Sequence, residues 1–158
     1  MTKGPVDLNV SLSYGLARKG LPSQVSFQKW VAAALDRRVR AADIGIRLVD
    51  TVEGQHFNKH YRGKDYATNV LSFEAERPEG LPDNVTIPLM GDLIICVPVV
   101  LREAEEQGKS ATSHFAHLTV HGTLHLLGWD HEDDVEAHAM EQLEREILDA
   151  FGINDPYA

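Results

Sequence analysis

Two histidines and a glycine near residue 125 have the spacing of a metal site. His121 and His125 are four residues apart, so on an α-helix their side chains lie one turn apart on the same face. Gly128 follows three residues later, and glycine readily takes the left-handed conformation that ends a helix. The chain can then turn and bring His131 back toward the two helical imidazoles. We therefore predict a site for a zinc-like ion held by His121, His125 and His131.

The predicted ligand set favours a catalytic metal over a structural one. Three protein ligands leave one coordination position open for water or substrate. Imidazole ligands also accept nickel and other divalent transition metals, so the ligands alone do not select zinc. The spacing resembles that of the metzincin peptidases, in which a glutamate beside the first histidine is the general base. Gly122 stands at that position, so the usual base is absent.

A helical histidine pair also has a plainer interpretation. The chain contains eight histidines, so some pairs at helical spacing are expected by chance, and a histidine on an apolar helix face is often a hydrogen-bonded core residue. Three histidines with a glycine at the helix end favour the metal interpretation. His56 and His60 form a second pair at helical spacing, but no third ligand follows them. We interpret that pair as an exposed helix face.

Length and composition favour one globular domain. The 158 residues suffice for one well-packed domain, which we expect to span residues 1–158. No apolar run approaches ~18 residues and the N-terminus has no secretory signal, so no membrane partner is expected. The single cysteine, Cys96, lies in an apolar run and is expected to be a buried, inert thiol. These features favour a cytoplasmic protein.

Charge is unevenly distributed along the sequence. Residues 1–64 contain 11 Lys and Arg against five Asp and Glu, a net charge of +6. Residues 65–158 contain four against 19, a net charge of −15, and the whole chain carries −9. A basic N-terminal part could face a polyanion although the whole protein repels one. Alternatively, the two parts interleave in space and the asymmetry disappears.

Hydrophobic periodicity predicts the elements that must position these residues. Alternating patterns predict four strands. The first begins at Val6, and the others cover residues 44–51, 68–73 and 90–97. Helical patterns with capping residues predict five helices. The first begins at Pro22-Ser23, the second covers residues 53–62 and the third follows Pro98. The fourth runs from Ser110 or Thr112 to Gly128, and the fifth begins at Asp133 or Asp134. Within them, Phe57 and Tyr61 are expected to pack inward, and the last helix has an apolar stripe of Met140, Leu143, Ile147, Leu148 and Phe151.

The order of these elements predicts an α+β fold. The first two strands, joined by a helix, predict a right-handed βαβ unit. The whole is expected to be a mixed sheet of about four strands with helices concentrated late in the chain. The metal site would then lie on a late helix and in the turn after it.

Four segments of the chain are distinctive: HGTLHLLGWDH at 121–131, NKHYRGKDYATNVLSF around Arg62, MGDLIIC at 90–96 and the closing GINDPY. Together they resemble the YbeY family of endoribonucleases, which act in ribosomal RNA maturation. The resemblance implies a small α/β metalloprotein with a mixed sheet, zinc on His121, His125 and His131, and Arg62 as a further active-site residue. It implies RNA and the ribosome or its proteins as partners.

The chain departs from the family pattern at two positions. Asn69 stands where the family commonly has Asp, which removes a carboxylate near the expected cleft. Trp129 replaces a frequent tyrosine. Next to it, Asp130 could orient a ligand histidine or cap the turn, and His117 could border the site or be a packed core residue.

Three functions are compatible with these patterns. The leading prediction is a single-strand-specific, zinc-dependent endoribonuclease acting on ribosomal RNA precursors, in which the planar guanidinium of Arg62 binds phosphate. The second is a metal-dependent peptidase or other small hydrolase, which needs a base from elsewhere because Gly122 supplies none. The third is a non-enzymatic factor that binds RNA or the ribosome and is stabilised by the metal.

Overall fold

The computed structural model describes residues 7–36, 38–75, 79–82, 84–85, 87–130 and 132–157. These residues form one four-stranded sheet and five helices. In chain order the elements are β1 (Asp7–Tyr14), α1 (Gln24–Leu35), β2 (Ala41–Val49), α2 (Thr51–Arg62), β3 (Val70–Glu74), β4 (Leu89–Cys96), α3 (Val97–Glu106), α4 (Ala111–Leu126) and α5 (Asp134–Asp149). Among the described helices, none is both long and apolar enough to cross a lipid bilayer.

The sheet is mixed, with the strand order β1-β2-β4-β3. Strands β1, β2 and β4 are parallel, whereas β3 runs antiparallel to β4 at one edge. Strands β1 and β2 are neighbours joined through α1, which confirms the parallel pairing of the predicted βαβ unit. The mixed sheet of four strands with helices confirms the predicted fold class.

Helix α4 lies at the centre of the main hydrophobic core. Most of its 16 residues are buried, because it packs against α1, α3, α5 and the edge strand β3. Phe115 of α4 meets Phe27 of α1 edge to face, with 6.2 Å between ring centroids. Close packing on several sides leaves α4 little freedom to move. Side chains that project from it therefore start from a fixed backbone.

A smaller apolar cluster lies on the other face of the sheet, under α2. Alternate residues of β4 divide between the two cores: Leu93 and Ile95 face the main core, and Ile94 and Cys96 face the smaller cluster. Burial raises the pKa of the Cys96 thiol, as predicted for an inert cysteine.

The prediction that both aromatic residues of α2 pack inward is wrong for Tyr61. Phe57 packs against the smaller cluster, but Tyr61 is 59% exposed. Tyr61 lies in the last turn of α2, where the helix reaches the edge strand, and its ring contacts Phe73 at a centroid distance of 4.9 Å. Among the described residues, the contacts of the ring leave more than half of it exposed. His56 and His60 are exposed, as predicted for that pair.

The predicted helix ends are confirmed where the signals are local. Ser23, Ser110 and Asp133 are N-caps, each accepting a backbone N–H with its side chain. The predicted stripe on α5 includes one error, Phe151, which is 38% exposed because the helix ends at Asp149.

Candidate metal centre and active-site cleft

The two helical histidines converge as their spacing predicts. His121 and His125 project from consecutive turns of α4, and their Nε2 atoms lie 3.0 Å apart. The ring planes are nearly perpendicular, at 83°. The third predicted ligand, His131, lies outside the described residues.

The turn after α4 fixes the tautomer of His125. Gly128 has φ 97°, and the N–H of Trp129 bonds back to the carbonyl of Leu124, so the helix ends in a Schellman motif. This turn places the Trp129 carbonyl oxygen 2.9 Å from His125 Nδ1. A carbonyl oxygen only accepts hydrogen bonds, so Nδ1 carries the proton and Nε2 keeps its lone pair.

A buried carboxylate fixes His121 in the same way. The Nδ1 atom of His121 donates to Oε1 of Glu144, which lies on α5 and is fully buried. Both Nε2 lone pairs then face the same point. Zinc–nitrogen bonds of 2.0–2.1 Å hold two tetrahedral ligands about 3.3 Å apart, close to the separation seen here. The donor set and its outer partners therefore fit a metal ion.

A second arrangement of metal-ligand atoms shares His121. His117, His121 and Glu144 place nitrogen and oxygen atoms within 4.8 Å of one another, a cluster that could hold a metal ion. However, His121 Nδ1 is already in direct hydrogen-bond contact with Glu144, which leaves no room for an ion between them. The Nε2 side of His121, which faces His125, is the better position for an ion.

Glu144 is fully buried, yet its neighbours favour the ionised carboxylate. Burial raises its pKa, but the adjacent His117 and the hydrogen bonds from His121 and Tyr157 outweigh burial and lower the pKa to about 2. In the described part of the chain its ion-pair partners are histidines only. A buried negative charge beside His121 favours a cation on the far side of that imidazole. Burial and the bond to Glu144 raise the pKa of Tyr157, so the phenol remains protonated and donates.

Arg62 lies in the same cleft as the two histidines. A cavity of about 710 Å³ is lined by Arg62, His121, His125, Asp130 and the edge strand β3. Arg62 is the last residue of α2 and is exposed. Residues 59 positions apart in sequence thus meet at one opening, so the structure brings Arg62 together with two of the three predicted ligands.

The Asn at position 69 also lines this cleft. Its amide nitrogen donates to Glu103 Oε1 at 3.0 Å, and its Oδ1 accepts the N–H of Val70 at 2.6 Å. Glu103 Oε1 also lies 2.9 Å from Nε2 of the buried His114. An aspartate at position 69 would set a second carboxylate against Glu103, whereas the amide makes a hydrogen bond there.

Two residues of the site were missed by sequence reasoning, Glu144 and Tyr157. Glu144 stands four residues after Met140 and four before Leu148, so it occupies the apolar stripe of α5. A glutamate in such a stripe signals a buried, partnered carboxylate. His117, expected either to border the site or to be packed, does both, with its Nε2 3.1 Å from the Tyr157 hydroxyl.

Fold and site together define a small α+β protein whose cleft combines a histidine cluster able to hold a metal with an exposed arginine. A sequence profile described as endoribonuclease YbeY matches residues 19–152. Relatives named endoribonuclease YbeY from Xanthomonas campestris pv. campestris and Stenotrophomonas maltophilia are 72% and 70% identical over 158 residues, covering 100% of this chain and 98% of each relative. The chain belongs to the endoribonuclease YbeY family, which confirms the resemblance found in its motifs.

A solved structure shows the same fold. The solution structure of TM1509 from Thermotoga maritima superposes with a TM-score of 0.58, covering 91% of this chain and 92% of that one. The two sequences are 21% identical, so this likeness concerns the fold alone.

Proposed function

We propose that the protein is a cytoplasmic, metal-dependent endoribonuclease that cleaves single-stranded segments of ribosomal RNA precursors. The observation that carries the proposal is the shared cleft, in which Arg62 and the paired Nε2 atoms of His121 and His125 face one opening. Membership of the endoribonuclease YbeY family supports the class of reaction. The ribosome or its proteins would be partners because the substrate is ribosomal.

The proposed metal ligands are His121 and His125 through Nε2, with His131 as the third. His131 follows Asp130, which lines the same cleft. Zinc suits three imidazoles, and nickel or another divalent transition metal is also compatible. When bound, such an ion supplies Lewis acidity toward a phosphoryl oxygen and lowers the pKa of coordinated water.

Arg62 would bind the phosphate that is to be cleaved. Its guanidinium offers parallel N–H donors that match two phosphate oxygens, which fixes the orientation of the phosphodiester as well as its position. The same donors would stabilise the negative charge that develops on those oxygens during cleavage. The exposure of Arg62 at the end of α2 leaves it accessible to an RNA strand.

The packing of Gly122 argues against the peptidase alternative. A Cβ atom there would lie 2.9 Å from Leu93 Cδ2 and 3.1 Å from Ser72 Oγ, so a glutamate side chain at position 122 would collide with β3 and β4. A glutamate at this position could not act as the base of a metzincin-like peptidase. We therefore expect negligible peptide hydrolysis, to be checked with a broad peptide library.

Substitution of Arg62 tests the nuclease proposal against a non-enzymatic RNA-binding factor. We expect Arg62→Glu to lower cleavage of ribosomal RNA fragments with single-stranded ends by at least about 100-fold, with metal content and melting temperature nearly unchanged. Arg62→Lys should retain part of the activity, because a point charge replaces a two-pronged donor. Arg102→Glu, the same charge reversal at an exposed position on α3, should cleave like the wild type.

The assay is cleavage of labelled RNA fragments by proteins purified in parallel. The His125→Ala protein controls for contaminating nucleases. Equal cleavage by the wild type, Arg62→Glu and His125→Ala would mean that the activity is a contaminant, and the non-enzymatic function would then be preferred.

A further inference from the structure

Tyr157 is connected to the proposed metal ligand His121 by an unbroken chain of hydrogen bonds. The phenol donates to Glu144 Oε2, and Glu144 Oε1 accepts from His121 Nδ1. His117 Nε2 lies 3.1 Å from the phenol oxygen and can donate to it. Each contact in this chain pairs one donor with one acceptor, so all its members are compatible with a single arrangement of protons.

The segment that carries Tyr157 is fixed to α5 by a second set of contacts. Arg145 Nε donates to Asp155 Oδ2 at 2.9 Å, and Asp155 Oδ1 accepts the backbone N–H of Tyr157 at 2.8 Å. The Arg145 guanidinium lies over the phenol ring, 5.5 Å from its centroid. The ring of His117 meets the phenol edge to face at 5.3 Å. The hydroxyl is therefore held in one position relative to Glu144.

We propose that Tyr157 is a positioning residue that orients His121 through Glu144 and thereby sets the affinity of the metal centre. The inference rests on the proposed function, because it assumes an ion on Nε2 of His121. A carboxylate that receives a hydrogen bond on each oxygen has a fixed plane, and the imidazole bonded to it is fixed as well. Without the phenol, one oxygen of a fully buried carboxylate loses a donor, and Glu144 can rotate away from His121.

Tyr157→Phe tests this role because it removes only the hydroxyl. We expect the dissociation constant for Zn²⁺, measured by competition with a chelator, to rise about tenfold, as for other outer partners of metal ligands. The visible absorption spectrum of the Co²⁺-loaded protein should change as well, since it reports ligand geometry. The matched control is Tyr14→Phe at the end of β1, which makes the same chemical change outside this hydrogen-bond chain and should bind both ions like the wild type.

Coupling between substitutions tests the route through Glu144. Glu144→Gln should weaken Zn²⁺ binding more than Tyr157→Phe does, and adding Tyr157→Phe to it should cause no further loss. If Glu144→Gln does not fold, Asp155→Ala replaces it. That change releases the segment that holds the phenol, so it should weaken Zn²⁺ binding about as much as Tyr157→Phe, without adding to it.

The outcomes separate this inference from the proposed function. Unchanged Zn²⁺ affinity and an unchanged Co²⁺ spectrum in Tyr157→Phe would overturn the role of Tyr157. The proposed metal centre would still stand in that case if Zn²⁺ binding by the wild-type protein required His125. Full additivity with the second substitution would also overturn it, because the phenol would then act by another route. Zn²⁺ binding that is equal with and without His125 would instead overturn the metal centre itself.

Discussion

The two ring nitrogens of each proposed ligand histidine have separate tasks. Nδ1 is bonded to an oxygen that can only accept, the Trp129 carbonyl for His125 and the Glu144 carboxylate for His121. Nε2 is thereby left as a lone-pair donor directed at the cleft. These contacts would set the tautomers before an ion arrives, and the affinity of the proposed site would then depend on groups that never touch the ion.

Removal of one imidazole should empty the site. We expect the wild type to contain about one zinc-like ion per chain and His125→Ala to lose most of it, because only two of the three proposed ligands would remain. The control is His138→Ala, which removes an exposed histidine on α5 and should leave metal content unchanged. Elemental analysis of the purified proteins measures both. Full occupancy in His125→Ala would show that the ligands are wrongly assigned.

How much of the site a sequence can predict depends on how local its contacts are. His121 and His125 were predictable because helix geometry alone brings them together. Glu144 contacts His121 from 23 residues away, and only the packing of α5 on α4 determines which α5 side chain arrives there. The apolar stripe could indicate that Glu144 is buried, but not which residue it meets.

At the scale of elements, α4 is held against the sheet at Gly122. The residue sits over Leu93 and Ser72, and the Ser72 hydroxyl donates to the Gly122 carbonyl at 3.0 Å. A side chain at this position would push the helix away from β3 and β4. The absence of a Cβ at position 122 helps the helix that bears the histidines to approach the sheet closely.

Substitution of Gly122 should therefore cost stability. For Gly122→Ala, overpacking of about 1–3 kcal/mol is partly offset by about 1 kcal/mol of helix propensity, so we expect a net loss of about 1 kcal/mol in the free energy of unfolding. Gly122→Glu should cost several times more, because it adds a buried charge. The control Thr112→Glu puts the same side chain at an exposed position of α4. Urea denaturation measures the four proteins, and an unaffected Gly122→Glu would contradict the packing described here.

Helix ends could be predicted from the sequence where the capping contacts are local, whereas the exposure of a side chain depends on the layers packed around it. Ser110, Gly128 and Asp133 mark helix ends by hydrogen bonds within a few residues. The exposure of Tyr61 depends instead on the position of α2 over the sheet edge. Periodicity indicates which side chains share a helix face, but not how far the neighbouring layer extends.

At the scale of the molecule, the excess of basic residues before residue 65 includes many exposed side chains. They are Arg18, Lys19, Lys29, Arg38, Arg40, Lys59, Arg62 and Lys64. Lys59 and Lys64 are close to Arg62 in the sequence, so we expect part of this positive charge to lie near the cleft that Arg62 lines. Such a placement would favour a polyanion there although the whole chain carries a net charge of −9.

The affinity for RNA should fall as the salt concentration rises, and the slope of this fall should increase with the number of phosphates that the protein contacts. With about three phosphate contacts to a single strand, the logarithm of the association constant should fall with that of salt at a slope of about −2. Lys59→Gln and Lys64→Gln should each make the slope shallower by about 0.7. Arg102→Gln, on α3, should leave it unchanged. Fluorescence anisotropy with a labelled single strand measures the slope, and a value near zero would exclude a basic contact surface.

The hydrogen-bond chain from Tyr157 to His121 has a consequence for the order in which the protein is made. Ribosomes build chains from the N-terminus, so His121 and His125 are synthesised before Glu144 and Tyr157. An ion captured by a nascent chain would meet a His121 that nothing yet orients. In a protein proposed to cut ribosomal RNA, this order delays the finished site until residue 157 has left the ribosome that made it.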